Sequence, residues 1–421
     1  MRVTSQRNEG FRALRHRGYR IYFAGMLARG TAVWMQFIAI PWLAVERGAG
    51  PLQVGIVSAC LFLPTLFIAP LGGVLADRVN RSAVLIVTQV GGAVHALALL
   101  VLVAAGAVDL PLLAVFALLF GVITAAELPV RQSYLTDLVP REEVSSAVSL
   151  HATAWNITRF LGPGLAGLLI ATVGIEACFG VAAGATVLVA TSVIVLRTFD
   201  RHRRSTPQLE GSILGALVDG VRYAAAEPRI RWALVLLSSG GVLGIQAFQT
   251  LAPLYVSQTL GLGGGAFGGF MSAWGAGALV GALAVTTFGR GDRRRWLLVG
   301  ASALSVLLAA LSLTRWPPAA FALAGGLGLA QISLVQSAMI TVQQAVTDDF
   351  RGRVMGLYAT VFQGTNPLGA VLAGALGASV GIQGAMFVGA IALGGVSLIA
   401  VAFMPALRRP DEPVSQSSTA P

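Results

Sequence analysis

Long runs of apolar residues, separated by short polar segments, dominate this chain of 421 residues. A helix of about 20 apolar residues is long enough to cross the hydrocarbon core of a membrane. The apolar runs predict twelve spans, at 19–44, 52–76, 82–106, 110–136, 146–173, 176–197, 231–256, 266–289, 296–314, 317–345, 354–378 and 382–404. The pattern therefore predicts an all-α membrane protein with about twelve transmembrane helices.

The composition agrees with this pattern and excludes a soluble fold. Hydrophobic residues make up 56% of the chain and charged residues 11%, and the mean hydropathy is +0.77. A globular protein in water needs a wetted exterior, which so few charged residues cannot supply. A lipid bilayer removes that need, and the 51 glycines suit close packing of helices in lipid.

Arginine predicts the orientation of the spans. The net charge of +11 comes with 29 basic residues, all of them arginine. They concentrate in the N-terminal tail, in every second loop and in the C-terminal tail, whereas the alternate loops contain Arg47 and Arg315 alone. Because cytoplasmic loops are enriched in basic residues, we expect both termini to be cytoplasmic. We expect no binding to nucleic acid. Arginine without lysine, with abundant alanine and glycine, indicates a GC-rich bacterial genome, so we expect a multi-pass protein of the bacterial cytoplasmic (inner) membrane.

A long loop divides the chain. The segment 198–230 separates the sixth predicted span from the seventh, and residues 212–226 within it have the pattern of an amphipathic helix on the membrane surface. We therefore predict an N-terminal half at 1–197, a cytoplasmic linker at 198–230, a C-terminal half at 231–404 and a disordered cytoplasmic tail at 405–421.

The two halves repeat each other at an offset of 207 residues. The motif LHATAW at 150–155 matches LYATVF at 357–362, and Gly121 matches Gly328. Further matches follow without gaps: Leu161-Gly162 with Leu368-Gly369, Ala166-Gly167 with Ala373-Gly374, and Val173-Gly174-Ile175 with Val380-Gly381-Ile382. Two pseudo-symmetric bundles of six helices around a midplane cavity are the architecture of alternating-access transporters.

The loop after the second span carries a motif that resembles the signature of the major facilitator superfamily. It reads GGVLADRVNRS at 72–82, and Gly73, Asp77, Arg78 and Arg81 match the signature. Asn80 replaces a glycine, which is acceptable if the position has a positive φ. The resemblance implies a conformational latch, in which Asp77 faces the N-terminal end of span eleven and the arginines pair with acids such as Asp137.

Three further segments resemble one exporter branch of that superfamily, which includes macrolide efflux proteins and the enterobactin exporter. They are LTDLVPREEV at 135–144, NITRFLGPGLAG at 156–167 and FRGRVMG at 350–356. The resemblance implies proton-coupled export of a hydrophobic small molecule, drug-like, macrolide-like or siderophore-like, by alternating access. Gly162, Pro163 and Pro367 predict helix kinks, which suit either a hinge or passive packing.

Three ionisable residues lie deep in the predicted spans of the first half. Arg29, Glu127 and Arg159 all fall roughly 15–20 Å from the cytoplasmic surface at 1.5 Å per residue. Charge is costly at that depth, so each is a candidate for ion coupling. If the three meet, Glu127 exchanges a proton or contacts substrate with an arginine as counter-ion, or else the cluster is a structural lock. A net charge of about +1 favours neutral or anionic substrates.

Neutral polar and aromatic residues supply the other candidates for a substrate cavity. They are Trp34, Gln36, Phe37, Gln246, Gln249, Trp274, Gln331, Gln336, Gln363 and Asn366. Amide and aromatic groups on an apolar wall suit a large hydrophobic ligand. Hydrogen bonding between helices is the alternative role for the same residues.

Several function classes are disfavoured. The sequence has no paired catalytic carboxylates, no His/Cys metal spacing and no nucleotide-binding loop, so we expect neither an enzyme nor a cofactor nor a metal. The expected partners are a small hydrophobic neutral or anionic substrate, protons and the lipid bilayer, and we expect a monomer. Uptake of a small solute, coupled to protons or facilitated, is the alternative to export.

Overall fold

The structure is a computed structural model that describes residues 12–78, 80–196, 213–288 and 293–403. Within these ranges it leaves out the side chains of 69–78, 136–137, 213–214, 216–217, 288, 293–294 and 403. Most of the predicted linker and the whole predicted tail therefore lie outside the described residues.

Thirteen long helices follow one another in the described part of the chain. They are α1 (Arg17–Glu46), α2 (Pro51–Arg78), α3 (Arg81–Ala104), α4 (Leu110–Asp137), α5 (Val144–Thr172), α6 (Ile175–Leu196), α7 (Ile213–Ala226), α8 (Pro228–Thr259), α9 (Gly264–Phe288), α10 (Arg293–Leu313), α11 (Pro317–Ala345), α12 (Arg351–Val380) and α13 (Ile382–Phe403). Each predicted span falls on one of them within a few residues, which confirms the all-α membrane fold. The orientation of the termini stays a prediction.

Ten of the helices in the described residues are long and apolar enough to cross a membrane. Two helices of 29 and 30 residues, α5 and α12, are not among the ten. They carry polar residues in mid-helix, Asn156 and Arg159 in α5 and Gln363 and Asn366 in α12. The same two helices hold the repeated motifs, so the spans that lipid favours least occupy equivalent places in the two halves.

α8 departs from the plain helix that its sequence predicts. It changes to π-helical geometry over Gly240–Ile245 and again over Tyr255–Thr259. Such π segments add a residue to a turn and are frequent at functional sites. Apolar periodicity did not indicate them, because a single wide turn leaves the hydrophobic pattern of a buried helix almost unchanged.

The predicted amphipathic segment forms the helix α7, which is fixed to the start of α12. Asp219 pairs with Arg353 at 3.2 Å, and the ring of Tyr223 stacks on Phe350 with centroids 4.5 Å apart. These contacts tie the linker to the second half of the chain. The boundaries of the two halves, the linker and the tail stay predictions.

Glycines of the 207-residue repeat make two close helix contacts. A Cβ atom on Gly167 of α5 would lie 2.7 Å from the Cα of Gly268 of α9, and one on Gly374 of α12 would lie 2.9 Å from the Cα of Gly55 of α2. Small residues allow helix backbones to approach this closely in lipid. The α5–α9 and α2–α12 seams are therefore packed in the same way.

Both seams make close contacts toward the end of the bundle away from the arginine-rich loops, which we call the arginine-poor end. Helices join there at 47–50, 173–174, 260–263 and 381. At this end Trp42 of α1 stacks on Phe267 of α9 with ring centroids 5.3 Å apart, and Gly377 of α12 packs on Pro51 of α2. The arginine-poor end is thus closed in this structure.

We expect Gly167→Ala to destabilise the protein by about 1–3 kcal/mol, the usual cost of overpacking. Its new Cβ would contact the backbone of α9, which cannot move aside without opening the seam. Thermal unfolding of the purified protein in detergent measures the effect. Gly184→Ala in α6 is the matched control, because a Cβ there would meet no atom within 4 Å. An unchanged midpoint for Gly167→Ala would contradict the close seam.

Candidate functional site

A buried carboxylate, that of Glu127, joins α4 to α1. The guanidinium of Arg29 donates to one carboxylate oxygen of Glu127 from Nη2 at 2.8 Å and from Nε at 3.0 Å. Both side chains are almost completely buried, with relative exposures of 2% for Arg29 and 3% for Glu127. The structure thus brings together two of the three deep charges that the sequence singled out.

The third member of this cluster is Arg131, which the sequence analysis missed. Its Nη1 lies 3.2 Å from the other carboxylate oxygen of Glu127, and its side chain is also buried. The buried side chain of Gln89 in α3 lies beside Glu127. The spacing of four residues from Glu127 to Arg131 places both side chains on one helix face, and that spacing was the available signal.

The cluster holds two positive charges and one negative charge away from water. Breaking a buried ion pair costs about 3–5 kcal/mol, because the remaining charge is left uncompensated. Nη1 of Arg29 and Nε of Arg131 have no hydrogen-bond partner among the described residues. Both arginines therefore keep an unused donor inside the bundle.

Arg159 does not join the cluster, so the expectation that three charges meet is wrong on this point. Its guanidinium carbon lies 4.1 Å from the ring centroid of Trp274 in α9 and 5.4 Å from that of Trp34 in α1. Its backbone packs on Gly275 of α9. The position of Arg159 along α5 does not by itself give the direction in which its side chain faces around the helix.

Aromatic rings connect the ion cluster to the second half. Arg131 covers the ring of Trp155 at 4.6 Å. The ring centroid of Trp34 lies 6.1 Å from that of Trp155 and 6.2 Å from that of Trp274. Phe37, another predicted cavity residue, stacks on Phe62 and contacts Trp34. Arginine–aromatic contacts are worth roughly 0.5–2 kcal/mol, so this chain of rings is a substantial interaction.

In the second half, the predicted amides bond to one another. The amide nitrogen of Gln246 in α8 donates to Asn366 in α12 at 2.9 Å, and the Thr250 hydroxyl donates to Gln246. The indole nitrogen of Trp274 donates to Gln331 in α11 at 2.9 Å. For Gln246, Asn366 and Gln331 the contacts seen are those between helices, as the alternative role predicts.

Four other predicted amides lack such partners. Gln249, Gln336 and Gln363 are partly buried and form no hydrogen bond with another described residue. The carbonyl oxygen of Gln36 is buried and has no donor among the described residues. A buried amide without a partner is costly, so these side chains stay candidates for contact with a ligand or water.

The latch residues stay predictions. The side chains of Asp77, Arg78 and Asp137 and the surroundings of Gly73 are not described, whereas Arg81 begins α3. Asn80 differs from expectation: its φ is −71°, and its side chain accepts a hydrogen bond from the backbone N–H of Ala83. It caps α3 instead of occupying a glycine-like conformation.

The predicted kink residues lie inside continuous helices, Gly162 and Pro163 in α5 and Pro367 in α12. Gly162 packs on the backbone of Thr31 and on Trp34 in α1. Their role as hinges stays a prediction. Among the described residues, no group of three or more His, Cys, Asp or Glu side chains is placed to hold a metal ion.

Comparison with known proteins gives a consistent picture. Residues 8–420 match the family described as transmembrane secretion effector. The multidrug efflux pump Tap of Mycolicibacterium fortuitum is 26% identical over 93% of this chain and 96% of its own length. The staphyloferrin A transporter of Staphylococcus aureus is 30% identical over 33% of this chain and 35% of its own. The solved structure of the nucleoside transporter NupG superposes with a TM-score of 0.72 at 15% identity, covering 93% of this chain and all of that one.

We expect Glu127→Gln to destabilise the protein more than Arg29→Gln. The first change leaves two buried arginines without a carboxylate, whereas the second leaves Glu127 paired with Arg131. The loss for Glu127→Gln should be about 3–5 kcal/mol, and adding Arg29→Gln to it should recover part of that loss. Unfolding midpoints of the three variants in detergent test this order. Equal stability of Glu127→Gln and the intact protein would contradict a buried ion cluster.

Proposed function

This chain belongs to the transmembrane secretion effector family of the major facilitator superfamily, and from that premise we propose that it exports a hydrophobic small molecule. It is a multi-pass membrane transporter, and its family and relatives are transporters rather than enzymes. In our proposal it is a secondary active transporter of the bacterial cytoplasmic membrane, it works by alternating access, and protons drive it.

Export is supported by the relatives. The efflux pump from Mycolicibacterium fortuitum aligns over nearly the whole length of both chains, so a shared direction of transport is the simplest reading. The substrate class is supported by the aromatic rings of Trp34, Trp155 and Trp274 beside Arg159 and by partly buried amides on other helices that form no hydrogen bond with a described residue. Such walls suit ligands that are mostly apolar with a few polar atoms.

The proposal of proton coupling is supported by the burial of Glu127 between Arg29 and Arg131. In this state two guanidinium groups stabilise the ionised carboxylate. A movement of α1 against α4 would remove Arg29, and the carboxylate would then be left with less positive charge and would take up a proton more readily. Glu127 would thereby link proton binding to the change of conformation.

The closed arginine-poor end supports a loading state. The α5–α9 and α2–α12 seams are tight at that end, so substrate would enter from the arginine-rich end. By the positive-inside rule that end faces the cytoplasm. An exporter must collect its substrate there, and the seams would part later to release it.

We expect the intact protein to lower the accumulation of a macrolide or a lipophilic dye in bacteria that lack their own pumps. A protonophore should abolish the effect, and Glu127→Gln should abolish it because a neutral amide cannot exchange a proton. Glu127→Asp keeps a carboxylic acid and should retain part of the activity. Steady-state accumulation is the measurement, normalised to the amount of each variant in the membrane.

Arg315→Gln is the matched control, because Arg315 is exposed at the arginine-poor end, and it should behave like the intact protein. Accumulation above that of the empty vector would contradict export and support uptake of a small solute. Lower accumulation that survives Glu127→Gln would keep the exporter and make Glu127 a structural lock.

A further inference from the structure

Arg159 is a charged side chain without a counter-ion in the interior of the bundle. It stays partly exposed and forms neither an ion pair nor a hydrogen bond with a described residue, and its Nε is buried without a partner. Its contacts are the faces of two tryptophan rings, Trp274 at 4.1 Å and Trp34 at 5.4 Å. The Arg159 guanidinium therefore has hydrogen-bond donors available, and it packs over the faces of two aromatic rings.

The charge balance leaves Arg159 available to a ligand. Glu127 is already engaged by Arg29 and Arg131. The three arginines therefore exceed this carboxylate by two charges. The planar guanidinium fork matches the geometry of carboxylate and similar oxyanions, and the low-dielectric surroundings strengthen such a bond. An anion bound to Arg159 would offset the cost of holding that charge away from bulk water.

The surrounding rings add a second requirement. The indole nitrogen of Trp34 is also buried without an acceptor among the described residues, and its ring centroid lies 6.1 Å from that of Trp155 and 6.2 Å from that of Trp274. Tryptophan faces favour stacking or edge contacts with flat rings. A ligand that reaches Arg159 therefore meets the partly exposed rings of Trp34 in α1 and Trp155 in α5, whereas Trp274 in α9 is fully buried.

We infer that Arg159 and Trp34 form a binding site for an aromatic anion, in which Arg159 holds the anionic group and the partly exposed Trp34 contacts the ring, while the fully buried Trp274 supports the Arg159 guanidinium. This inference rests on the proposed transport function and names the substrate class of the same interior site. Cationic aromatic compounds are disfavoured here by the uncompensated positive charge of Arg159.

Two dyes with the same ring system test the inference. Fluorescein at mildly alkaline pH is an anion, and rhodamine 123 is a cation with the same xanthene core. Fluorescence anisotropy with the intact chain in lipid nanodiscs, corrected with empty nanodiscs, measures the binding of each dye without an ion gradient. We expect fluorescein to bind at least about tenfold more tightly than rhodamine 123, as one charge-assisted contact allows.

Substitutions distinguish the contribution of the Arg159 charge to dye binding from the contribution of the tryptophan ring. Arg159→Gln should weaken fluorescein binding about tenfold and remove the preference between the dyes, whereas Arg159→Lys should keep part of that preference. Trp34→Leu should weaken both dyes, because it removes a partly exposed aromatic ring and leaves the charge of Arg159 unchanged. Arg315→Gln is the control for loss of a positive charge elsewhere. Gel filtration and thermal unfolding show that each variant is folded.

The inference is overturned if fluorescein shows no saturable binding, if rhodamine 123 binds as tightly, or if Arg159→Gln binds fluorescein like the intact protein. These results are independent of the export assay, because no transport is measured. Charge-selective binding without any effect on accumulation in cells would instead overturn the proposed function and leave the site in place.

Discussion

The carboxylate of Glu127 can stay ionised inside the bundle because two arginines reach it from different helices. Arg29 comes from α1, and Arg131 comes from the next turn of α4 itself. Each charge would be several kcal/mol too costly alone in a medium of low polarity, so the three side chains fix α1 against α4. Arg131 then carries the constraint on to Trp155 in α5, and from there the rings of Trp34 and Trp274 extend it to α9.

The two halves of the chain resemble each other more closely in how their helix backbones pack than in the polar side chains that they carry. Gly167 and Gly374 are equivalent in sequence and make equivalent close contacts, one with α9 and the other with α2. The position equivalent to Arg159 is Asn366, which is hydrogen-bonded to Gln246. Close helix approach allows few substitutions, because any side chain would collide. Polar side chains at the same height are free to diverge, and here the charges collect in the first half.

This asymmetry suits the proposed mechanism of transport. The charged half contains the group that would exchange a proton, and it also presents the arginine that would attract an anion. The other half is held by neutral hydrogen bonds, such as that from Trp274 to Gln331, whose strength does not depend on the charge state of the site. Motion between the halves must part the two glycine seams, whose contacts are numerous but individually weak.

The helices, their lengths and the position of each charge along its helix could be predicted from the amino-acid sequence alone. These are local properties, since the thickness of the bilayer sets the length of an apolar run and residue count sets the height along a helix. The tertiary structure decided which side chains meet. Arg159 and Arg131 show the difference: Arg159 was a candidate partner of Glu127 and instead contacts two tryptophan rings, whereas Arg131 was not singled out and pairs with Glu127. The rotation of each helix about its axis depends on packing with distant segments, and no local pattern in the chain contains that information.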